Sequence, residues 1–208
     1  MNYTQVVTLA STSIRSIPDL KGKVVSTGAA GSGAEVTASR ILEAFGVNPI
    51  TGIQKQSLGV AQSVDALKDG KIDAFFWSGG LPTAAILDLA HTPGMTIRMI
   101  PNAAVLDALK KTYGGSLYLE GTIPKTTYPD LDSDVTVISV PNLLAVHEEM
   151  DEQLVYNITQ ALFDHKAELV AIHPEANNLS LDSAVKGSPA PFHPGAIRYY
   201  EDQRVWPR

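Results

Sequence analysis

Between residues 23 and 113, short apolar β-prone runs alternate four times with amphipathic helical runs, and no other feature of the chain restricts its fold so strongly. Residues 24–25, 50–56, 72–77 and 95–100 read as strands. Residues 34–45, 60–67, a segment carrying Ala85, Ile86 and Leu89, and residues 103–113 read as helices. In 34–45, Val36, Ile41, Leu42 and Phe45 fall largely on one face, and Gly46 supplies the stop. A chain that returns to β after each helix predicts a mainly parallel sheet flanked by helices. Ligands of such sheets bind outside the carboxyl ends of the strands. Two loops qualify there by glycine content and by the helix that follows: residues 28–34, and Ser78-Gly79-Gly80 with Pro82 placed for a helix N1 position.

The first loop carries the most local information. Gly28, Gly31 and Gly33 let the backbone turn tightly and approach a ligand. Ser32 is a good N-cap, and Glu35 stands three residues on, at capping-box spacing. The helix start then offers free N–H groups and a positive dipole end. Gly28 to Gly33 has the glycine spacing of a phosphate-binding loop, but Ala34 and Glu35 stand where Lys and Ser/Thr are required. The order Gly-x-x-Gly-x-Gly also fails the dinucleotide fingerprint. A plain strand-to-helix turn and a site for a small carboxylate both remain open on spacing.

Composition narrows the function classes. The chain has 208 residues, a hydrophobic content of 44% and a net charge of −6. That allows one large domain or two small lobes and argues against a nucleic-acid surface. It contains no cysteine, which excludes disulfides, thiolate zinc sites and thiol catalysis. No apolar run is long enough to span a membrane, and residues 1–5 lack the basic and apolar regions of a signal peptide.

Outside the alternating region, residues 4–9 form a β-prone run, 14–22 a connector, and 121–134 a Thr-, Pro- and Asp-rich connector. Residues 135–146 are apolar and interrupted by Pro141. Residues 151–164 form an amphipathic helix with Leu154, Ile158, Ala161 and Leu162 inward, and residues 194–202 the last helix. None of His91, His147, His165, His173 and His193 lies in a zinc-protease pattern, and residues 30–34 are no nucleophile elbow. Glu148-Glu149 and Asp151-Glu152 read as a solvated helix start, and His193 before Pro194-Gly195 as a structural cap. Trp77 at a strand end either stacks on a ligand or fills the core. Tyr199-Tyr200 is expected to give one core ring and one surface ring.

Asp19-Leu20-Lys21-Gly22-Lys23-Val24-Val25 followed by Gly31-Ser32-Gly33 resembles the start of the second lobe in type II periplasmic solute-binding proteins. Three further stretches resemble the TAXI family, the solute receptors of one class of TRAP transporter. They are Gly31-Ser32-Gly33-Ala34-Glu35-Val36-Thr37-Ala38, Asp73-Ala74-Phe75-Phe76-Trp77-Ser78-Gly79-Gly80-Leu81-Pro82-Thr83 and Pro191-Phe192-His193-Pro194-Gly195-Ala196-Ile197-Arg198-Tyr199-Tyr200. The resemblance spans essentially the whole chain, and the last motif is the most specific.

The resemblance implies a type II periplasmic-binding fold: an α/β clamshell of two lobes, working outside the cytoplasmic membrane without catalysis or cofactor. It implies capture of a small organic anion, an amino acid or carboxylate, and its delivery to TRAP membrane subunits. Carried over by position, Gly31, Ser32, Gly33 and Ala34 would present donors to the ligand, and Trp77, Ser78, Gly79 and Gly80 would form a facing wall of the same lobe. Residues 11–134 would be lobe two, and residues 1–10 with 135–208 the remainder of lobe one. Family members carry a further N-terminal segment, so the resemblance also implies an incomplete first lobe with an exposed apolar face and self-association through it. A cytoplasmic effector-binding domain of the same clamshell topology is the alternative, and it would normally follow a helix-turn-helix segment.

Overall fold

The computed structural model describes residues 1–207, which divide by their contacts into two compact units at Pro141 and Asn142. The first unit holds β1 (Asn2–Leu9), β2 (Val24–Ser26), α1 (Gly33–Ala44), β3 (Gln54–Gln56), α2 (Val60–Lys68), β4 (Ala74–Gly79), α3 (Ala84–Ala90), β5 (Ile97–Met99), α4 (Leu106–Tyr113), β6 (Leu119–Ile123) and β7 (Val135–Val140). A 3-10 turn at Ile17–Leu20 precedes β2.

The fold class is α/β, with a seven-stranded sheet in the order β3-β2-β4-β1-β7-β6 and β5 also pairing with β1. The sheet is mixed rather than mainly parallel. β2 pairs parallel with β3 and β4, as the helical crossovers dictate. β1 runs antiparallel to β4, β5 and β7, and β6 antiparallel to β7. Strand alternation predicts none of this, because β1 enters from before the first crossover and β7 from after the last. Residues 1–10 and 135–140, expected with the tail, thus lie among the interior strands of this sheet.

Alternation of side chains divides the core between the two sheet faces. On one face Val6, Val25, Ala74, Phe76 and Ile138 pack with Ala38, Ile41 and Leu42 of α1 and Leu109 of α4. On the other Val7, Phe75, Met99 and Val137 pack with Val64 and Leu67 of α2 and Ile86 and Leu89 of α3. Each such side chain contributes about 1.5–3 kcal/mol on burial. Ile41 and Leu42 of the expected α1 face are fully buried and Phe45 packs on the core, but Val36 is 45% exposed, and Thr37 and Ala38 are buried in the first turns instead. The 121–134 connector holds part of β6 and the buried Tyr128. Gly121 sits in that strand where a Cβ would lie 2.9 Å from the Tyr3 ring, so the ring packs directly on the backbone.

β1 forks along one edge. Asn2 and Tyr3 pair with β7, and Val7 to Leu9 with β5. The fully buried Asn102 fills the fork. Its amide donates to the Thr4 carbonyl (3.0 Å), and its Oδ1 accepts the Ile138 N–H (2.7 Å). One side chain thereby satisfies backbone groups that the divergence of two strands would otherwise strand.

The second unit, Asn142–Arg208, is helical among its described residues: α5 (Glu152–Asp164), α6 (Lys166–Ile172), α7 (Leu181–Ala184) and α8 (Pro194–Asp202). Gly195 lets α8 lie against α5, since a Cβ there would overlap the Glu152 carbonyl oxygen. His193 is the cap expected: its Nδ1 accepts the Gly195 N–H (3.2 Å), with Pro194 opening the helix. Asp151 caps α5, and Glu152 pairs with Arg198 (2.8 Å). Tyr199 and Tyr200 are both buried, not one inside and one outside. Phe163 stacks on Tyr199 (5.7 Å), and Phe192 and Trp206 meet Tyr200, so the cluster needs both rings. Leu154 and Ala161, expected inward on α5, are exposed, and Val155 and Thr159 are buried instead. No helix among the described residues is long and apolar enough to cross a membrane.

Candidate functional site

β2 and β4 are parallel neighbours, with Val25 opposite Ala74 and Ser26 opposite Phe75. Their carboxyl ends therefore open at the same end of the sheet, and the two candidate loops follow from them. This is the geometric basis for considering residues 31–34 together with 77–80.

In the first loop Gly28 and Gly31 adopt φ of +105° and +73°, the left-handed region that favours glycine. A Cβ on Gly28 would lie 2.9 Å from the Ala34 Cβ, so the loop can fold onto the start of α1 only with glycine there. Ser32 caps the helix: its Oγ accepts the Glu35 N–H (3.2 Å). The reciprocal half of the box is displaced by one residue. The Glu35 carboxylate accepts the Gly31 N–H (2.7 Å), while the Ser32 N–H donates to the Ala29 carbonyl (3.1 Å).

This changes which groups a ligand could use. The Gly31 N–H is already committed to a carboxylate of the same chain. Gly33 and Ala34 begin the helix, so their N–H groups have no intrahelical acceptor, and Gly33 is exposed. Glu35 also pairs with Lys55 Nζ (2.7 Å), and that hydrogen bond, with the one from Gly31, holds its carboxyl below the usual carboxylate range. Lys55, on edge strand β3, brings the local charge back towards neutral. Thr27, at the mouth of the loop, is fully buried, and its hydroxyl has no partner.

The second segment is more strand than loop, because β4 continues through Ser78 to Gly79. Trp77 and Ser78 consequently project to opposite faces of the sheet. Trp77 packs against the core on the α2 and α3 side, and a Cβ on Gly79 would lie 2.5 Å from its indole nitrogen. The indole N–H donates to Thr83 Oγ1 (3.1 Å). Gly80 accepts at its carbonyl from the Thr83 hydroxyl (3.0 Å). Pro82 precedes the helix rather than opening it, since Thr83 is the cap and α3 starts at Ala84. Sequence reasoning passed over Thr83 and Tyr128. Thr83 ends the stretch 73–83 that resembles TAXI receptors, and Tyr128 lies in the Thr-, Pro- and Asp-rich run 121–134, where no local signal marks a buried ring.

A separate shallow groove is lined by Gln56, Leu58, Gln62, Asp65, Asp69 and Lys71, between β3 and α2. It contains none of the residues expected to bind.

Among solved structures, the chain is similar to the periplasmic aliphatic sulphonate binding protein of Escherichia coli, with 14% identity and a TM-score of 0.49 over 99% of this chain and 66% of that one. It is similar to an ancestral arginine-binding protein bound to arginine, with 15% identity and a TM-score of 0.45 over 86% of this chain and 61% of that one. It is also similar to the probable amino-acid ABC transporter extracellular-binding protein of Bacillus subtilis, with 17% identity and a TM-score of 0.43 over 86% of this chain and 60% of that one. The chain spans 60 to 66% of the length of these proteins. The NMT1-like family matches residues 1–203, and the chain belongs to that family.

Proposed function

We propose that this chain is the ligand-holding part of an extracytoplasmic solute receptor that binds a small organic anion, an amino acid, carboxylate or sulfonate, for the membrane subunits of a TRAP-type transporter of the TAXI class. The reading rests on one observation above others: the start of α1 and the end of β4 follow from adjacent parallel strands. At that end the N–H groups of Gly33 and Ala34 face outward from a twelve-residue helix whose dipole favours negative charge. Family membership supports it, and so do the motifs shared with TAXI receptors. Binding here uses backbone donors, the Ser32 hydroxyl and the backbone of residues 78–80, and leaves the ligand chemically unchanged.

A thermal-shift screen tests the reading, with L-glutamate, succinate, 2-oxoglutarate and taurine as probes. A ligand at about one hundred times its Kd stabilises the native state by roughly 2.7 kcal/mol. For a chain of this size that raises Tm by about 5–10 °C. Gly33→Asp should abolish the shift, because it sets a second carboxylate on the helix start where a Cβ meets nothing within 4 Å. The reading fails if no probe raises Tm, or if Gly33→Asp leaves the shift intact.

A further inference from the structure

Four side chains from three separate parts of the first unit close a hydrogen-bond network behind residues 77–80. Gln5 of β1 stands opposite Trp77 of β4 in the antiparallel ladder. Its Nε2 donates to Thr83 Oγ1 (3.0 Å), and the Trp77 indole N–H donates to the same oxygen (3.1 Å). The Thr83 hydroxyl donates onward to the Gly80 carbonyl (3.0 Å). A hydroxyl has one donor and two acceptor positions, so Thr83 Oγ1 is saturated. The Thr83 N–H donates to the Tyr128 hydroxyl (2.8 Å), which donates to Gln5 Oε1 (2.6 Å) and closes the ring. Gln5 and Tyr128 are 0% and 2% exposed, so the bond between them is shielded from water, while the bonds to Thr83 are half-buried.

Two consequences follow from the directions of these bonds. Residues 80–83 cannot shift without breaking several bonds at once, since Thr83 is tied to Gln5 of β1, to Trp77 and to Tyr128, and Gly80 to Thr83. The only polar atom of Trp77 is consumed within the protein, so the indole offers a ligand its apolar ring alone.

We propose that Gln5, Thr83 and Tyr128 are positioning residues that hold the backbone of residues 78–80 in a preset binding pose and withhold the Trp77 N–H from any ligand. The proposal rests on the ligand site argued above, although its first readout is independent of that site. Position 83 must then carry a hydroxyl: serine suffices and valine does not.

Hydrogen exchange of the uniformly 15N-labelled chain, followed by NMR, tests this, with the Trp206 indole as the internal reference. The Trp77 indole proton is expected to exchange slowly in the native chain and within about twofold of that rate in Thr83→Ser. In Thr83→Val it should exchange about tenfold faster, together with the amides of residues 79–81 and 83, while Trp206 is unchanged. Tyr128→Phe, which keeps the ring volume, should speed exchange of the Thr83 amide and of the Gly79 and Gly80 amides, and carries the test if Thr83→Val does not fold: native exchange at all three overturns the proposal. Equal Trp77 exchange in Thr83→Val and the native chain overturns the proposal. A Trp77 indole proton that exchanges in the native chain as fast as a free indole also overturns it, because the N–H would then be open to a ligand. Succinate that leaves the Gly33 and Ala34 amide resonances unmoved instead removes the proposed ligand site, and the exchange result on the network stands apart from it.

Discussion

Gly195→Ala should destabilise the helical unit through one methyl group. Gly195 lies where α8 crosses α5, and an added Cβ would overlap the Glu152 carbonyl oxygen, with Tyr156 N at 2.9 Å and Val155 Cβ at 3.0 Å. All three are backbone or backbone-proximal atoms, so no flexible side chain can swing aside. Restoring ordinary carbon contacts of 3.5–4.0 Å requires the helices to part by roughly 1 Å. A gap of that size forfeits a quarter to a half of the dispersion attraction across the interface. It would also pull Tyr199 from its stack on Phe163. Overpacking of this kind costs about 1–3 kcal/mol, offset by at most about 1 kcal/mol from the better helix propensity of alanine. The net expectation is a loss of about 1–2 kcal/mol, or a urea midpoint lower by roughly 0.5–1 M at a slope near 2 kcal/mol/M. Near-ultraviolet circular dichroism should weaken in parallel, because Tyr156, Phe163, Phe192, Tyr199, Tyr200 and Trp206 form one ring cluster. Gly115→Ala, where a Cβ meets nothing within 4 Å, is the control and should change neither. A Gly195→Ala chain with native midpoint and native spectrum would refute the close-crossing argument.

Asn102→Ala should cost about 2–4 kcal/mol in urea unfolding, since it leaves the Thr4 carbonyl and the Ile138 N–H buried without partners. Thr27→Val keeps the shape and removes a buried hydroxyl that has no partner, so it should leave stability unchanged or raise it by up to about 1 kcal/mol. The Glu35 carboxyl has a folded pKa below its ordinary 4.5, chiefly through Lys55, so its contribution is present above pH 4.5 and lost as pH falls through the lowered value. Tm measured against pH should therefore drop less steeply on the acid side in Glu35→Gln. His165 has the opposite sign: Glu168 raises its pKa above 6.5, so that contribution is present below pH 6.5 and fades as pH rises through the folded value.

The parts of the fold legible in the sequence were those where local pattern and tertiary placement agree. Val24 and Val25 before a glycine loop, Ser32 as cap and Gly46 as stop gave β2 and α1 close to their observed limits. His193 before Pro194 gave the start of α8. What stayed hidden depended on partners distant in sequence. β6 contains Gly121, which weakens a strand pattern, and it is explained only once Tyr3 is seen to pack on it. Val36 and Leu154 look inward by helical spacing but are exposed: α1 buries Thr37 and Ala38 beside the expected Ile41 and Leu42, and α5 buries Val155 and Thr159. The candidate loops were legible as strand ends. The self-satisfaction of Gly31 by Glu35, and of Trp77 by Thr83, was not, because a hydrogen-bond direction is a property of the folded neighbourhood rather than of spacing.

The central place of β1 bears on the order in which the chain is made. β1 bonds to β4, β5 and β7, all made after it, and the last of them is complete only when Val140 has been synthesised. Until β4 is complete at Gly79, β2, α1 and β3 can form a parallel pair among themselves, while Val6 and Val7 still lack the β4 residues they pair with. β1 is therefore an insertion strand, kept waiting with apolar residues on both faces and open backbone edges. During that interval the nascent chain presents a ready strand to any other unfilled sheet, and escape from aggregation depends on how quickly β4 arrives to pair with it.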